Sequence, residues 1–194
     1  MLKAGEVKDQ RGVPNCTACA AVAAVEALKP GFVGSVSFVY HNLRHVTNRE
    51  GGLTVLDALQ GIQRFGVCSE ACWPSIPAND GLRPHIGAYR EARGQRAKVL
   101  APLAGASDAI NWLKQGKPLV VSYDTIILVR MGLHMPYDSQ GWHTSAVMGY
   151  EKDREAFQVW NSWGCEWAEK GKFWIPADVF DSQELCRGRF GVSL

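Results

Sequence analysis

The chain has 194 residues, 46% of them hydrophobic and 21% charged, with a formal net charge of +2. That is ordinary globular composition, too weakly basic to argue for nucleic acid, and no dense Lys/Arg block is present. The start, Met1-Leu2-Lys3-Ala4-Gly5-Glu6, lacks the apolar stretch of a signal peptide, and the most apolar region, 118–132, is broken by Asp124 and Arg130, so no membrane span is expected.

In chain order, the polar loop Asp9-Gln10-Arg11-Gly12-Val13-Pro14 leads to Asn15, a good N-cap, and to a helix over 16–28 that Lys29-Pro30-Gly31 ends. Its many alanines (among them Ala20, Ala21, Ala24 and Ala27) let neighbouring backbone come close, so this helix is expected at the centre of the molecule. Helices follow over 37–46 and 54–65, the second with Val55, Leu56, Leu59 and Ile62 at helical spacing and Gly66 as its stop. The three-proline stretch 73–84 reads as loop, 86–93 as a short helix, and 107–115 as a helix with Ile110 and Leu113 inward. Strand-like runs then occupy 119–123, 126–129, 144–150, 157–161 and 172–175. Helices first and strands later predict an α+β fold. The expectation is one unit over 1–194, with a helical lobe at about 10–100, a β-rich antiparallel sheet or barrel lobe at about 101–194, and a site in the cleft between them.

Cys16 opens the first helix. The dipole and unpaired N–H groups at a helix N-terminus stabilise a thiolate, the reactive form of cysteine. Three other readings compete at this segment. Cys16 is equally readable as a small core hydrophobe. Cys16-Thr17-Ala18-Cys19 is a C-x-x-C spacing, although the loop before it is a poor strand for a redox motif. A zinc site recruiting Cys68 and Cys72 would need an atypical spacing. The six cysteines, which also include Cys165 and Cys186, permit disulfides without requiring them.

A nucleophile needs a base and a group that orients the base. His143 opens the apolar strand through Tyr150, a charged turn covers 151–155, and Phe157-Gln158-Val159-Trp160-Asn161 runs back. Pairing about that turn sets Gly149 near Phe157 and Ser145 opposite Asn161. His143 and Asn161 become diagonal neighbours on one face. The Asn carboxamide can accept from one imidazole nitrogen, leaving the other aimed outward. Trp163 is near enough to cover that bond from water.

Together these segments resemble the papain-like (C1) cysteine peptidases, most in the style of the compact bacterial members. Asp9-Gln10 with Cys16-Thr17-Ala18 matches the nucleophile block, His143 through Tyr150 the histidine block, and Asn161-Ser162-Trp163-Gly164-Cys165-Glu166-Trp167-Ala168-Glu169-Lys170-Gly171 the asparagine block. Glu50-Gly51-Gly52-Leu53 looks like the wall that hydrogen-bonds extended substrate, and 65–74 matches a further family segment. Val13 and, approximately, Glu50 stand where secreted members carry a disulfide, and Ala168 stands where the family has Gly.

The resemblance implies a thiol endopeptidase. Cys16 would be the nucleophile, His143 the base and Asn161 its orienter, with Gln10 completing the oxyanion hole. Gly51, Gly52, Trp163 and Trp167 would contact substrate, Trp167 as a leaving-side wall. It needs no metal or organic cofactor and acts on peptide or protein substrate, under an inhibitory prosegment or a separate inhibitor. The same triad serves transpeptidases, deamidases and narrowly targeted effector proteases, and a dead scaffold can serve as a binding module. Cytoplasmic location, a secreted effector and a domain of a longer protein all fit the chain.

Overall fold

The computed structural model describes residues 1–2, 5–47, 53–79, 81–136 and 140–194. The helices α1 (Cys16–Leu28), α2 (Val36–Thr47), α3 (Val55–Arg64) and α4 (Ile86–Ala92) come first. After strand β1 (Val99–Pro102) and helix α5 (Ala106–Lys114) come β2 (Leu119–Asp124), α6 (Ile126–Arg130), β3 (Trp142–Glu151), β4 (Ala156–Trp160), β5 (Lys172–Pro176), α7 (Ala177–Asp181) and β6 (Cys186–Ser193). The described strands form one antiparallel sheet in the order β1-β6-β2-β3-β4-β5.

Helix α1 is buried at every position from Thr17 to Ala27, as its alanines predict, and packs along β3. Alanine has the highest helix propensity and no side chain to hold a neighbour away. Ala23 and Ala27 therefore meet Ala146, Met148 and Trp160 directly. This close contact sets the start of α1, Cys16, against the start of β3, where His143 stands. The rest of α1 joins α2, α3 and α4 in one apolar core, and a second core lies beneath the sheet against α5, α6 and α7. Glu26, buried inside α1, is paired with Lys8 and accepts from the Gly34 N–H.

Several local expectations are corrected. Asn15 stands at the N-cap, but its carboxamide makes no cap bond and instead accepts from the Cys19 thiol at 3.4 Å. The run Ile126-Ile127-Leu128-Val129, expected as strand from its aliphatic content, is helical. β2 has ended, and the chain reverses there: Asp124 Oδ1 accepts from the Ile126 N–H, and Thr125 exchanges two hydrogen bonds with Gly141. Gly149 pairs with Gln158 rather than Phe157, because a bulge at Met148 shifts the register by one residue. Past the bulge, Val147 faces Val159 and Ala146 faces Trp160, so the expected alignment returns toward His143 and Asn161. The Met1 side chain packs where a Gly149 side chain would sit. β1, β6 and α7 were not anticipated. β1 ends in proline, and β6 carries two glycines and two arginines that hide its alternation.

Candidate active site

Residues from the loop before α1, from α3 and from β2, β3 and β6 enclose a cleft of about 570 Å³. Gln10, Cys16 and His143 all border it. The α3 side is fixed by a reciprocal cap: Thr54 Oγ1 accepts from the Asp57 N–H, and Asp57 Oδ2 accepts from the Thr54 N–H. Leu53 and Thr54 border the cleft, while Gly51 and Gly52 lie outside the described residues.

Cys16 is the first residue of α1, and without a side-chain cap the N–H groups of the opening turn stay available to the cleft. Burial pushes its thiol up. Hydrogen bonds from the Thr144 backbone, the Thr17 backbone, the Thr144 hydroxyl and the Cys16 backbone pull it down. Thr144 follows His143 in β3, so the sulfur rests against the stretch of strand that carries the imidazole.

His143 is 5% exposed, and burial pushes its imidazole down to about 4 against the hydrogen bond it donates to Asn161, which raises it. Its Nε2 lies 2.7 Å from Asn161 Oδ1, so the nitrogen left for the cleft is Nδ1. Asn161 Oδ1 also accepts from the Ser162 N–H at 2.8 Å and from Ser145 Oγ at 3.3 Å. The Tyr123 hydroxyl lies 3.1 Å from Ser145 Oγ, and its ring stands edge-on to His143. The Trp163 ring centroid is 4.8 Å from that of His143. Trp167 stands edge-on to Trp163, and its indole N–H donates to the His134 carbonyl.

Gln10 is tied to the same segment. Its N–H donates to the Ser162 carbonyl, and its Oε1 accepts from Ser162 Oγ at 2.6 Å. Its Nε2 donates one hydrogen to the Val13 carbonyl at 2.9 Å, leaving the second. Ser162 thus binds both Gln10 and Asn161, a role the sequence reading missed. The only sequence signal was its place between Asn161 and Trp163. Thr144, Ser122, Trp142 and Arg187 were also missed as cleft residues.

The arrangement unites three distant parts of the chain around one cleft: a thiol at a helix N-terminus, an imidazole held by a carboxamide, and the Gln10 carboxamide on the same cleft. That equipment suits acyl transfer through a thioester. All six cysteines are free, and among the described residues no group of three or more His, Cys, Asp or Glu is placed to hold a metal ion.

Four leading helices, a following antiparallel sheet and a cleft between them make this the α+β papain-like fold of the C1 cysteine peptidases. Xylellain, a cysteine protease from Xylella fastidiosa, superposes with a TM-score of 0.83 at 23% identity, over 97% of this chain and 82% of that one. A digestive procathepsin L 3 of Tenebrio molitor superposes at 0.76 with 17% identity, over 100% of this chain and 67% of that one. Among curated proteins, an uncharacterized peptidase C1-like protein of Acanthamoeba polyphaga mimivirus is 28% identical over 177 residues. That match covers 80% of this chain and 57% of the relative. No family model matches the chain.

Proposed function

We propose that the chain is a cysteine endopeptidase in which residues 1–194 work as one catalytic unit. Cys16 and His143 exchange a proton to give a thiolate and an imidazolium. The thiolate attacks a peptide carbonyl, and the Cys16 N–H and the remaining Gln10 Nε2 hydrogen hold the oxyanion. His143 protonates the leaving amine and then activates water against the thioester. Asn161 orients the ring under the cover of Trp163, and Trp167 flanks the leaving side. The substrate is a peptide or protein, with Gly51 and Gly52 offering it a backbone wall. A prosegment or separate inhibitor is the expected control, in keeping with the procathepsin likeness.

The observation that carries this reading is the 2.7 Å contact between His143 Nε2 and Asn161 Oδ1, which leaves Nδ1 for a cleft that Cys16 also borders. A thiol-directed epoxide tests it. Cys16 should be modified first, and Cys16→Ala should lose both labelling and turnover. Product masses from a peptide library should match hydrolysis, with no ligated species. Labelling spread equally over Cys19, Cys68 and Cys165, or persistent turnover by Cys16→Ala, would remove the reading.

A further inference from the structure

The cleft is electrically lopsided. Among the described residues that border it, Arg187 is the one full cation, and none is a carboxylate. Arg187 stands in a defined row of the sheet. It pairs with Ser122 across β6 and β2, and Ser122 pairs with Thr144 across β2 and β3. Thr144 is the residue that hydrogen-bonds the Cys16 thiol. Neighbouring strands lie about 4.8 Å apart, so the Arg187 backbone is about 10 Å from that of Thr144. An extended peptide advances about 3.4 Å per residue, and an arginine side chain shortens the gap further. A substrate residue close to the bond at Cys16 therefore comes within reach.

The guanidinium is held in place from two sides. Its carbon lies 4.4 Å from the Trp142 ring centroid, and Nε donates to the Gln183 carbonyl at 3.2 Å. Stacking occupies the face of the cation and Gln183 takes Nε, which leaves the edge formed by the two terminal nitrogens open. Among the described residues no carboxylate pairs with it. A planar carboxylate fits that edge through two parallel N–H bonds. Arg187 lies on the β2–β6 side of His143, whereas Trp163 and Trp167 follow β4 on the other side. If Trp167 flanks the leaving side, Arg187 faces the acyl side.

We propose that Arg187 selects peptide substrates with an acidic side chain, Asp or Glu, one or two residues before the scissile bond. This rests on the peptidase reading above and names its substrate class. The test uses fluorogenic peptides alike except for Glu, Gln, Leu or Lys at each of those two positions, with the cleavage point fixed by mass. At one position, kcat/KM for Glu should exceed that for Gln by about three- to tenfold. The ratio should shrink in about 1 M salt, where the screening length is ~3 Å. Arg187→Met should erase it, and Arg187→Glu should turn the preference toward Lys, a gain that a misfolded chain cannot produce. Equal rates for Glu and Gln, or an unchanged ratio in Arg187→Met, would overturn the proposal and leave peptide hydrolysis standing. No cleavage of any peptide, with no selective labelling of Cys16, would overturn both.

Discussion

Replacing Asn161 by alanine removes one oxygen that serves three donors. His143 Nε2 approaches it at 2.7 Å, the Ser162 N–H at 2.8 Å and Ser145 Oγ at 3.3 Å. Ser145 keeps its contact with the Tyr123 hydroxyl, so two buried donors lose their acceptor. Each such loss costs about 1–3 kcal/mol, and a water entering the vacated space recovers part, so about 3 kcal/mol is expected. In a chain of this size that lowers Tm by about 6–12 °C. Freed of its anchor, the imidazole swings, and a misplacement of about 1 Å costs on the order of 10²-fold in kcat. Asn161→Asp separates the two effects. It keeps an acceptor for every donor and gives up only the Nδ2 group, which has no partner among the described residues. It should retain most of the stability, and its carboxylate should raise the pH at which the imidazolium loses its proton. Calorimetry and pH–rate profiles read both variants. Wild-type Tm and kcat in Asn161→Ala would refute the assignment of this oxygen as the support of the ring.

Gln10→Ala should lower kcat about 10²-fold with KM little changed, by removing an oxyanion donor. Ser162→Ala should cause a smaller loss, because it frees Gln10 Oε1 while the Val13 contact still holds Nε2. Steady-state kinetics separate the two. Cys16→Ala removes any thiolate from the cleft and leaves His143, whose imidazole burial pushes down to about 4 from an ordinary value of about 6.5. Between those values the unfolded chain binds a proton that the folded chain does not, so stability is complete above pH 6.5 and falls toward pH 4. The loss is on the order of 3 kcal/mol, and urea unfolding at each pH measures it. Adding His143→Gln should flatten that slope. Ala168 holds φ +45 in the left-handed region, where a side chain costs about 1–2 kcal/mol. Ala168→Gly should therefore stabilise the chain by about 0.5–1 kcal/mol after the entropy of the added glycine is counted, measurable by denaturant midpoint.

The long elements were legible because their signals are local. Alanine-rich 16–28 and the amphipathic 55–64 carry helix in their own composition and spacing, and 144–150 and 157–160 carry strand. The approach of His143 to Asn161 could be read from turn position and alternation, even though the bulge at Met148 displaced the register nearer the turn. What escaped depends on tertiary context. Ile126–Arg130 has strand composition, and becomes helix only because Thr125 and Gly141 close the reversal after β2. Asn15 has the chemistry of a cap, and yields its oxygen to the Cys19 thiol that the helix turn brings to it. Ser162 and Arg187 have no signature in isolation. One joins two carboxamides, and the other stands in a row shared with Ser122 and Thr144.

Burial opposes charge on Cys16 and on His143 taken alone, pushing the thiol up and the imidazole down. In the proposed mechanism a charge-separated pair would therefore be sustained jointly, by attraction between the two ions and by the hydrogen bonds around each. Those supports are unequal. The sulfur draws on Thr144 twice, on Thr17 and on its own backbone, at the start of a helix whose dipole favours negative charge. The imidazole draws on Asn161 alone. The ring is thus the electrostatic weak point, and its single support is enclosed accordingly. Trp163 lies against the ring, Ser145 and Ser162 hold the Asn161 oxygen, and Tyr123 holds Ser145. In that low-polarity surround one hydrogen bond is stronger than it would be in water, and the same enclosure makes its loss costly.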